Sequence, residues 1–283
     1  MAKVALVTDS TAYIPQDLVD QHHIHVAPQV LVWGNETYQD GVDIQPDDFY
    51  RRLRTAKVMP STSQVTPSSF HKIFKDLVEE DYQVLAILIS QELSGTITSA
   101  QQAKEMLGNV PVEIVDSRTT AMAMGFHVLA AARAAEQGAT LAECKQLAEK
   151  ARNHTGVVFA VDTLEFLHRG GRIGTGTRFM GAALSIKPIF EIREGRVEPL
   201  ERVRTRKKSL QRLQEIIEER IAGQTPVRLA TLHANAYQEA CDLLASANGN
   251  FSRVEESILS TVSPVVGTHA GPGTVGLAYM AGM

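Results

Sequence analysis

Short apolar runs separated by helix-like stretches are the feature of this sequence that most restricts its fold. Three runs of strand length, Val4–Val7, Val84–Ile89 and Val112–Val115, stand in the first half of the chain. Helix-like stretches follow them, the last being the alanine-rich Ala121–Glu136. Buried strands that alternate with helices are typical of a parallel sheet covered on both faces. The sequence therefore predicts an α/β fold that begins with a Rossmann-like parallel sheet.

The second half of the chain has a different pattern. Lys187–Ile192 and Val197–Val203 flank a turn at Gly195 and predict a hairpin. An amphipathic helix over Ser209–Ile221 follows, and further strand-like runs come after it. This mixture predicts an α+β unit that is distinct from the first half.

The change of pattern predicts two domains, an N-terminal α/β domain at 1–155 and a C-terminal α+β domain at 156–283. Within the first domain, Val30–Trp33 and Glu36–Tyr38 predict a hairpin, which belongs to a hairpin and loop insertion at about 29–69. The hydroxyl-rich residues in that insertion are expected to form a loop.

Charge and cysteine content exclude several classes of protein. The net charge is −4, which argues against a nucleic-acid binder that works by neutralising phosphates. Cys144 and Cys241 stand alone, so neither a disulfide framework nor a zinc motif can be built from them, as is usual in a reducing cytosol. The longest apolar stretch, Met122–Ala135, is too short to span a bilayer. We therefore expect a cytoplasmic protein without a nucleic-acid partner.

Two glycine-rich stretches resemble nucleotide-binding motifs without meeting their requirements. Gly271–Gly276 matches G-x-G-x-x-G, but only seven residues follow it, too few for the βαβ unit that a dinucleotide site needs. Gly170–Gly176 lacks the Lys and Ser or Thr that end a P-loop. It is either a tight turn that ends a helix at Arg169 or a functional loop, and the sequence does not distinguish the two.

A hydroxyl-rich segment, Ser90–Thr96, lies between a predicted buried strand and a predicted helix. Ligands of open parallel sheets gather at this place, where hydroxyls, backbone N–H groups and the helix dipole favour an anion. The alternative is that Ser94 or Thr96 only caps the helix. Because Glu92 stands where a nucleophile elbow has glycine, Ser94 is a poor candidate for a catalytic serine.

One cluster of cations interrupts an otherwise acidic sequence, and several of its members fall in the first turn of a predicted helix. A positive charge there interacts unfavourably with the helix dipole, and each such charge costs about 0.3–1 kcal/mol of stability. This cost suggests an anionic ligand or partner. A solvated helix face is the alternative. The cluster consists of Arg202, Arg204, Arg206, Lys207, Lys208 and Arg212. His22, His23 and His25 lack a companion carboxylate motif, and we do not interpret them as a metal site.

Taken together and in order, several short segments resemble the DegV family. No single segment is specific, but they span the whole chain with the family's spacing. They are Val7–Thr11, Thr62–Gln64, Ser94–Thr96, Val115–Ser117, Asp162–Glu165, Gly170–Ile173, Ile186–Pro188, Val203–Arg206 and His269–Gly273.

The resemblance implies a two-domain, DegV-like fold related to the substrate-binding part of dihydroxyacetone kinase, with a long-chain fatty acid bound between the domains. It also implies that the protein is the acyl-carrying subunit of a fatty acid kinase, with a separate ATP-dependent subunit that phosphorylates the carboxyl group. The residues that it places at the head group are Thr62, Ser94, Gly95, Thr96, Arg204 and His269.

The resemblance therefore predicts a lipid-binding protein of phospholipid metabolism, without catalysis, a cofactor or a metal of its own. Its partners would be the fatty acid and the kinase subunit, with transient contact to a membrane surface. The alternative is an enzyme that acts on a small phosphorylated or carbonyl substrate, which rests on analogy between folds.

Overall fold

A computed structural model describes residues 3–179 and 186–283. The strands in these ranges are β1 (Val4–Asp9), β2 (His25–Ala27), β3 (Val30–Trp33), β4 (Glu36–Gln39), β5 (Ser61–Ser63), β6 (Gln83–Leu88), β7 (Val112–Asp116), β8 (Thr155–Ala160), β9 (Lys187–Arg193), β10 (Arg196–Val203), β11 (Val227–His233), β12 (Val254–Thr261) and β13 (Val275–Ala281). The helices are α1 (Gln16–Gln21), α2 (Pro46–Leu53), α3 (Pro67–Glu79), α4 (Thr96–Leu107), α5 (Ala121–Glu136), α6 (Leu141–Ala151), α7 (Glu165–Arg169), α8 (Arg206–Ile221), α9 (Tyr237–Asn250) and α10 (Pro264–Ala270).

The first half of the chain forms a four-stranded sheet in the order β2-β1-β6-β7, and every pair in it is parallel. Side chains of β6 alternate between two cores. Val84, Ala86 and Leu88 pack with helices α3 and α4, whereas Leu85 and Ile87 pack with α5 and α6. The predicted parallel sheet with helices on both faces is confirmed. Its strands read as continuous apolar runs because helices bury both faces of the sheet.

A small antiparallel sheet in the order β4-β3-β5 stands beside the first sheet. Its β3–β4 hairpin confirms the prediction for that segment. The loop predicted for the hydroxyl-rich residues is wrong at Ser61–Ser63, which pair with β3 so that Thr62 lies opposite Leu31. A Ser-Thr-Ser run has no apolar alternation to reveal a strand, and its backbone hydrogen bonds to β3 are what define it.

The second half forms a six-stranded mixed sheet in the order β10-β9-β8-β13-β11-β12. Only β11 and β12 pair in parallel there; the other neighbours are antiparallel. The predicted hairpin at Gly195 is present, and this glycine has the positive φ of 81° that its turn requires. Helices α8 and α9 cover one face of the sheet. The predicted α+β organisation of this half is confirmed.

Helix α5 lies between the two sheets and contacts β1 and β6 on one side and β8 and β13 on the other. Its side chains are buried almost throughout, and His127 bonds through Nε2 to Thr155 Oγ1 at 2.7 Å. All strands of the parallel sheet precede residue 117 and all strands of the mixed sheet follow 154. The domain boundary at 155 agrees with that separation and stays a prediction. Among the described residues, no helix combines the length and apolar character needed to cross a membrane.

Candidate functional site

A cavity of about 1020 Å³, its open mouth included, lies between the two halves of the chain. Thr11 and Ile89, which follow the ends of β1 and β6, line it on one side, and Val157 of β8 and Gly276 of β13 line it on the other. In open parallel sheets the carboxyl ends of the strands are the usual place for a ligand. The fold thus puts this cavity where the sequence predicted an anion site.

Most of the side chains that line this cavity are hydrocarbon. Strands of the mixed sheet contribute Phe159, Ile192 and Val197, and α10 contributes Val265 and Val266. Alternation along β9 puts Ile192 on the cavity side, while its neighbour Glu191 is buried elsewhere in an ion pair with Arg220. Such a surface suits apolar ligands, since it offers few hydrogen bonds to water.

A polar cluster interrupts the apolar wall, and its centre is a hydrogen bond between Thr62 Oγ1 and His269 Nε2 at 2.8 Å. The two residues are 207 positions apart, on β5 and α10. Both line the cavity. The structure therefore brings together two of the residues that the family resemblance placed at the head group.

His269 is largely buried beside the end of α7. Burial, together with the positive charge of Arg172, lowers the pKa of His269 to about 4, so the imidazole is neutral at pH 7. Its Nδ1 is buried next to Gly170 without a well-formed hydrogen bond. His269 lies in the last turn of helix α10, directly before the glycine loop that begins at Gly271.

Ser94 and Gly95 also line the cavity, at the beginning of α4. No side chain caps this end of the helix, so the N–H groups of its first turn have no capping hydrogen bond from a side chain. Thr96 is buried behind Ser94, to which its hydroxyl bonds at 2.8 Å, and it also bonds Gln29 at 2.9 Å. Thr96 thus holds the Ser94 hydroxyl in place and does not line the cavity.

Arg172 is a cation of this site that the sequence did not single out. Its guanidinium donates to Leu93 O at 3.2 and 3.3 Å and to Gly170 O at 2.8 Å, and it lines the cavity. The stretch that starts at Gly170 is therefore both the turn that ends α7 and a part of the site. The sequence signal for Arg172 was the Gly-Gly-Arg motif, which the sequence alone could not assign to a turn or to a functional loop.

Arg204 is not brought to the cluster. It is exposed in the turn between β10 and α8 and is not among the residues that line the cavity. Two other members of the basic cluster have carboxylate partners, since Arg206 pairs with Glu239 at 2.6 Å and Arg212 with Glu201 at 2.6 Å. These ion pairs account for part of the cluster without an anionic ligand. A contact between Arg204 and a head group stays a prediction.

Hydrogen bonds connect α10 to the Ser94 loop behind the cavity wall. Asp40 accepts from Val265 N at 3.1 Å and from Ser10 Oγ at 2.6 Å, and Ser10 Oγ accepts from Gln29 N at 3.1 Å. Gln29 in turn bonds Thr96. Asp40 is 2% exposed, and this burial raises its pKa from 3.8 to about 6. One buried carboxylate therefore holds both sides of the site.

The raised pKa of Asp40 predicts a stability that depends on pH. Between the unfolded pKa of 3.8 and the folded value of about 6, the native state binds more protons than the unfolded state. The contribution of Asp40 is thus complete below the lower value and is lost as pH rises through the higher one. Relative to Asp40→Asn, the free energy of unfolding of the wild type should fall by about 3 kcal/mol from acid to neutral pH. Denaturant titrations at several pH values measure this difference, and parallel curves would contradict it.

The three histidines near the start of the chain do not form a metal site. His22 is buried and bonds Glu136 at 2.7 Å, while His23 and His25 are exposed. Within residues 3–179 and 186–283, no three His, Cys, Asp or Glu side chains are close enough together to hold a metal ion.

Comparisons with known proteins agree with this architecture. The sequence profile of a family described as "Uncharacterised protein, DegV family" matches residues 3–282. Protein DegV of Bacillus subtilis is 34% identical over 278 residues, which cover 98% of both chains. A solved structure of a DegV family protein from Thermus thermophilus, described by its fatty acid binding, has a TM-score of 0.93 and 32% identity over 99% of both chains. A Thermotoga maritima protein described as revealing a fatty acid binding function has a TM-score of 0.88 and 30% identity, over 99% of this chain and 100% of its own.

Proposed function

Because this chain belongs to the DegV family, we propose that it binds a long-chain fatty acid in the cavity between its two halves and presents the carboxyl group to a partner kinase. One observation carries the proposal: a mainly hydrocarbon-lined cavity whose wall contains a cluster of hydroxyl, imidazole and guanidinium groups around Thr62 and His269. A fatty acid has the same division into a long apolar chain and one polar end.

The hydrophobic effect favours burial of such a ligand in an apolar cavity. A chain of sixteen carbons that leaves water gains about 0.8 kcal/mol per methylene, a gross gain near 11–12 kcal/mol. Immobilisation of the chain and ordering of the walls offset much of that gain. The apolar residues of β8, β9, β10 and α10 supply the surface against which the chain packs.

The carboxylate binds at the polar cluster. Thr62 and Ser94 supply hydroxyl donors, and Gly95 supplies a backbone donor at the start of α4. Arg172 supplies the positive charge, which removes the cost of burying an unpaired carboxylate. His269, neutral at pH 7, completes the cluster as a donor or acceptor. Thr96 acts through Ser94, and Arg204 contacts the head group only if the loop that carries it moves.

In this proposal the protein is a carrier that works in the cytoplasm and does not catalyse a reaction itself. A separate ATP-dependent kinase phosphorylates the bound carboxyl group, which links the protein to phospholipid metabolism. Transient contact with a membrane surface supplies the acid. These statements rest on the family resemblance, and the cationic and hydroxyl groups that line the cavity support only the position proposed for the carboxyl group.

Analysis of the bound cargo tests the proposal directly. Protein purified from a heterologous host without added ligand should contain about one long-chain fatty acid per chain, because the acid leaves so apolar a cavity slowly. Denaturing solvent extraction followed by mass spectrometry identifies and counts the ligand. Repeated recovery of folded protein that contains no lipid, or that contains a sugar phosphate, would contradict the proposed function.

Substitution of the two hydroxyl donors tests the head-group assignment. Thr62→Ala and Ser94→Ala each remove a hydrogen bond to a charged group, worth about 1.5–3 kcal/mol. Affinity for a fatty acid should therefore fall roughly tenfold or more, while affinity for the fatty alcohol of the same length should change less. Displacement of a fluorescent fatty acid measures both. If the acid and the alcohol lose affinity equally, these residues shape the cavity and do not bind the carboxylate.

A further inference from the structure

A glycine in the wall of the cavity interrupts a row of large side chains. Gly276 of β13 pairs with Phe159 of β8 on one side and with Leu232 of β11 on the other, and all three residues line the cavity. Residues that lie directly opposite each other on neighbouring strands share one face of the sheet. The side chains of Phe159 and Leu232 therefore flank a notch whose floor is the backbone at Gly276.

The backbone conformation does not account for this glycine. Gly271 and Gly273, which precede it in the G-x-G-x-x-G segment, each have a φ of 80°, as their turn requires. Gly276 lies inside a strand and has no positive φ, so a residue with a side chain could adopt its conformation. Among the described strand residues that line the cavity, it is the one without a side chain. Glycine inside a strand often marks a place where a ligand approaches the backbone closely.

A side chain at position 276 would occupy the notch. Its Cβ atom would lie 3.2 Å from Phe159 Cβ and 3.3 Å from Leu232 Cδ1, so even a methyl group would fill the space between these side chains. Gly276 lies two residues from Thr274, which is about 7 Å in an extended chain. The hydroxyl of Thr274 bonds the backbone carbonyl beside His269 at 2.8 Å. An acyl chain that starts at the polar cluster and packs on the mixed sheet therefore passes over the notch.

We propose that the notch at Gly276 accommodates the bend of a cis-unsaturated acyl chain, and that Gly276 is a specificity-determining residue for this class of fatty acid. This inference rests on the proposed function. A saturated chain is straight in its extended form, whereas a cis double bond displaces one half of the chain sideways from the other. A bent chain needs extra width at one position of the cavity. The absent side chain of Gly276 supplies this width between two bulky neighbours.

Fatty acids of equal length and different shape test the proposal. The wild type, Gly276→Ala and Gly156→Ala are compared for binding of stearic, oleic and elaidic acid by displacement of a fluorescent fatty acid. Elaidic acid is the trans isomer of oleic acid and has the double bond without the bend. Gly156 is the matched control, because it lies on β8 opposite Tyr279 and is absent from the cavity lining. A Cβ atom there would lie 2.8 Å from Tyr279 Cε1, so this substitution crowds the same two strands outside the cavity.

Gly276→Ala should weaken the binding of oleic acid at least tenfold and that of stearic and elaidic acid less than threefold. A mismatch of one methylene in an apolar pocket is enough for a change of about tenfold or more. Gly156→Ala should leave the ratios of the three affinities unchanged. Leu232→Val removes the Cδ1 atom beside the notch and should favour oleic acid over stearic acid, which keeps the test available if Gly276→Ala does not fold.

Equal losses for the three acids, a larger loss for stearic acid, or a changed ratio in Gly156→Ala would each overturn the proposal. So would a Leu232→Val variant whose preference is unchanged or moves toward stearic acid. If the wild type binds stearic acid and not oleic acid, this inference alone fails. If it binds none of the three acids, the proposed function fails as well.

Discussion

Ile192→Glu should strongly weaken fatty acid binding and leave the protein folded. Ile192 lines the cavity from β9, opposite Val197 of β10, which also lines it. Ile192 is only partly buried, so a glutamate carboxylate remains hydrated there in the protein without ligand. An acyl chain that fills the cavity removes this water and leaves an unpaired charge against hydrocarbon, which costs several kcal/mol. We expect affinity to fall about 100-fold or more, which corresponds to roughly 3 kcal/mol.

Ile192→Met is the matched control, since it keeps an apolar side chain of similar volume and should change affinity only slightly. Displacement of a fluorescent fatty acid measures binding, and thermal unfolding verifies that both variants are folded. Binding of the glutamate variant within a few-fold of wild type would show that the acyl chain does not pass along β9.

The elements that hold the cavity were predictable because each is determined by its own sequence. The apolar run at Val84–Ile89 has no face for water, and the structure buries it on both sides of a parallel sheet. The predicted helix Ala121–Glu136 has the same bounds in the structure. The hairpin at Gly195 followed from a glycine between two apolar runs. In each case the residues that predict the element lie within the element itself or beside it.

Helix α10 shows why a part of the site could not be predicted. Its sequence, Pro-Val-Val-Gly-Thr-His-Ala, is short and contains β-branched residues and a glycine, which have low helix propensity. Tertiary contacts stabilise it instead. Asp40 accepts from Val265 N, and a side chain at Gly267 would clash with Tyr50, so the helix packs closely on α2. These contacts join residues more than two hundred positions apart, which no local pattern records.

The polar cluster of Thr62, Ser94 and His269 was predictable only through the family resemblance. Residues 62 and 94 belong to hydroxyl-rich segments that, alone, suggested a loop and a helix cap. The bond between Thr62 and His269 becomes visible only when β5 and α10 are placed together. Arg172 could have been identified from the sequence, since the Gly-Gly-Arg motif that contains it was noted there. Arg204 was placed at the head group by the family resemblance, and the structure places it in an exposed turn away from the cavity lining.

Gly170→Ala should disturb the site through a single contact. Gly170 follows α7 with φ −75° and ψ −5°, a right-handed conformation that alanine adopts without strain. A Cβ atom there would lie 2.1 Å from His269 Nδ1 and 3.1 Å from its Cγ, so the whole imidazole must move. The movement breaks the 2.8 Å bond to Thr62. We expect a loss of stability of about 1–3 kcal/mol from overpacking and at least a tenfold loss of fatty acid affinity.

A double-mutant cycle with His269→Ala isolates that contact. Without the imidazole the added methyl group has room. Gly170→Ala should then be neutral or should stabilise the protein by about 0.4–1 kcal/mol, because alanine lowers the conformational entropy of the unfolded chain. The two substitutions should therefore be coupled by about 1–3 kcal/mol, measured by denaturant unfolding of the four proteins. The affinity cycle should show the same sign, because Gly170→Ala has no hydrogen bond left to break once His269 is gone. Additive effects in both cycles would mean that Gly170 influences the site by a route other than the position of the imidazole.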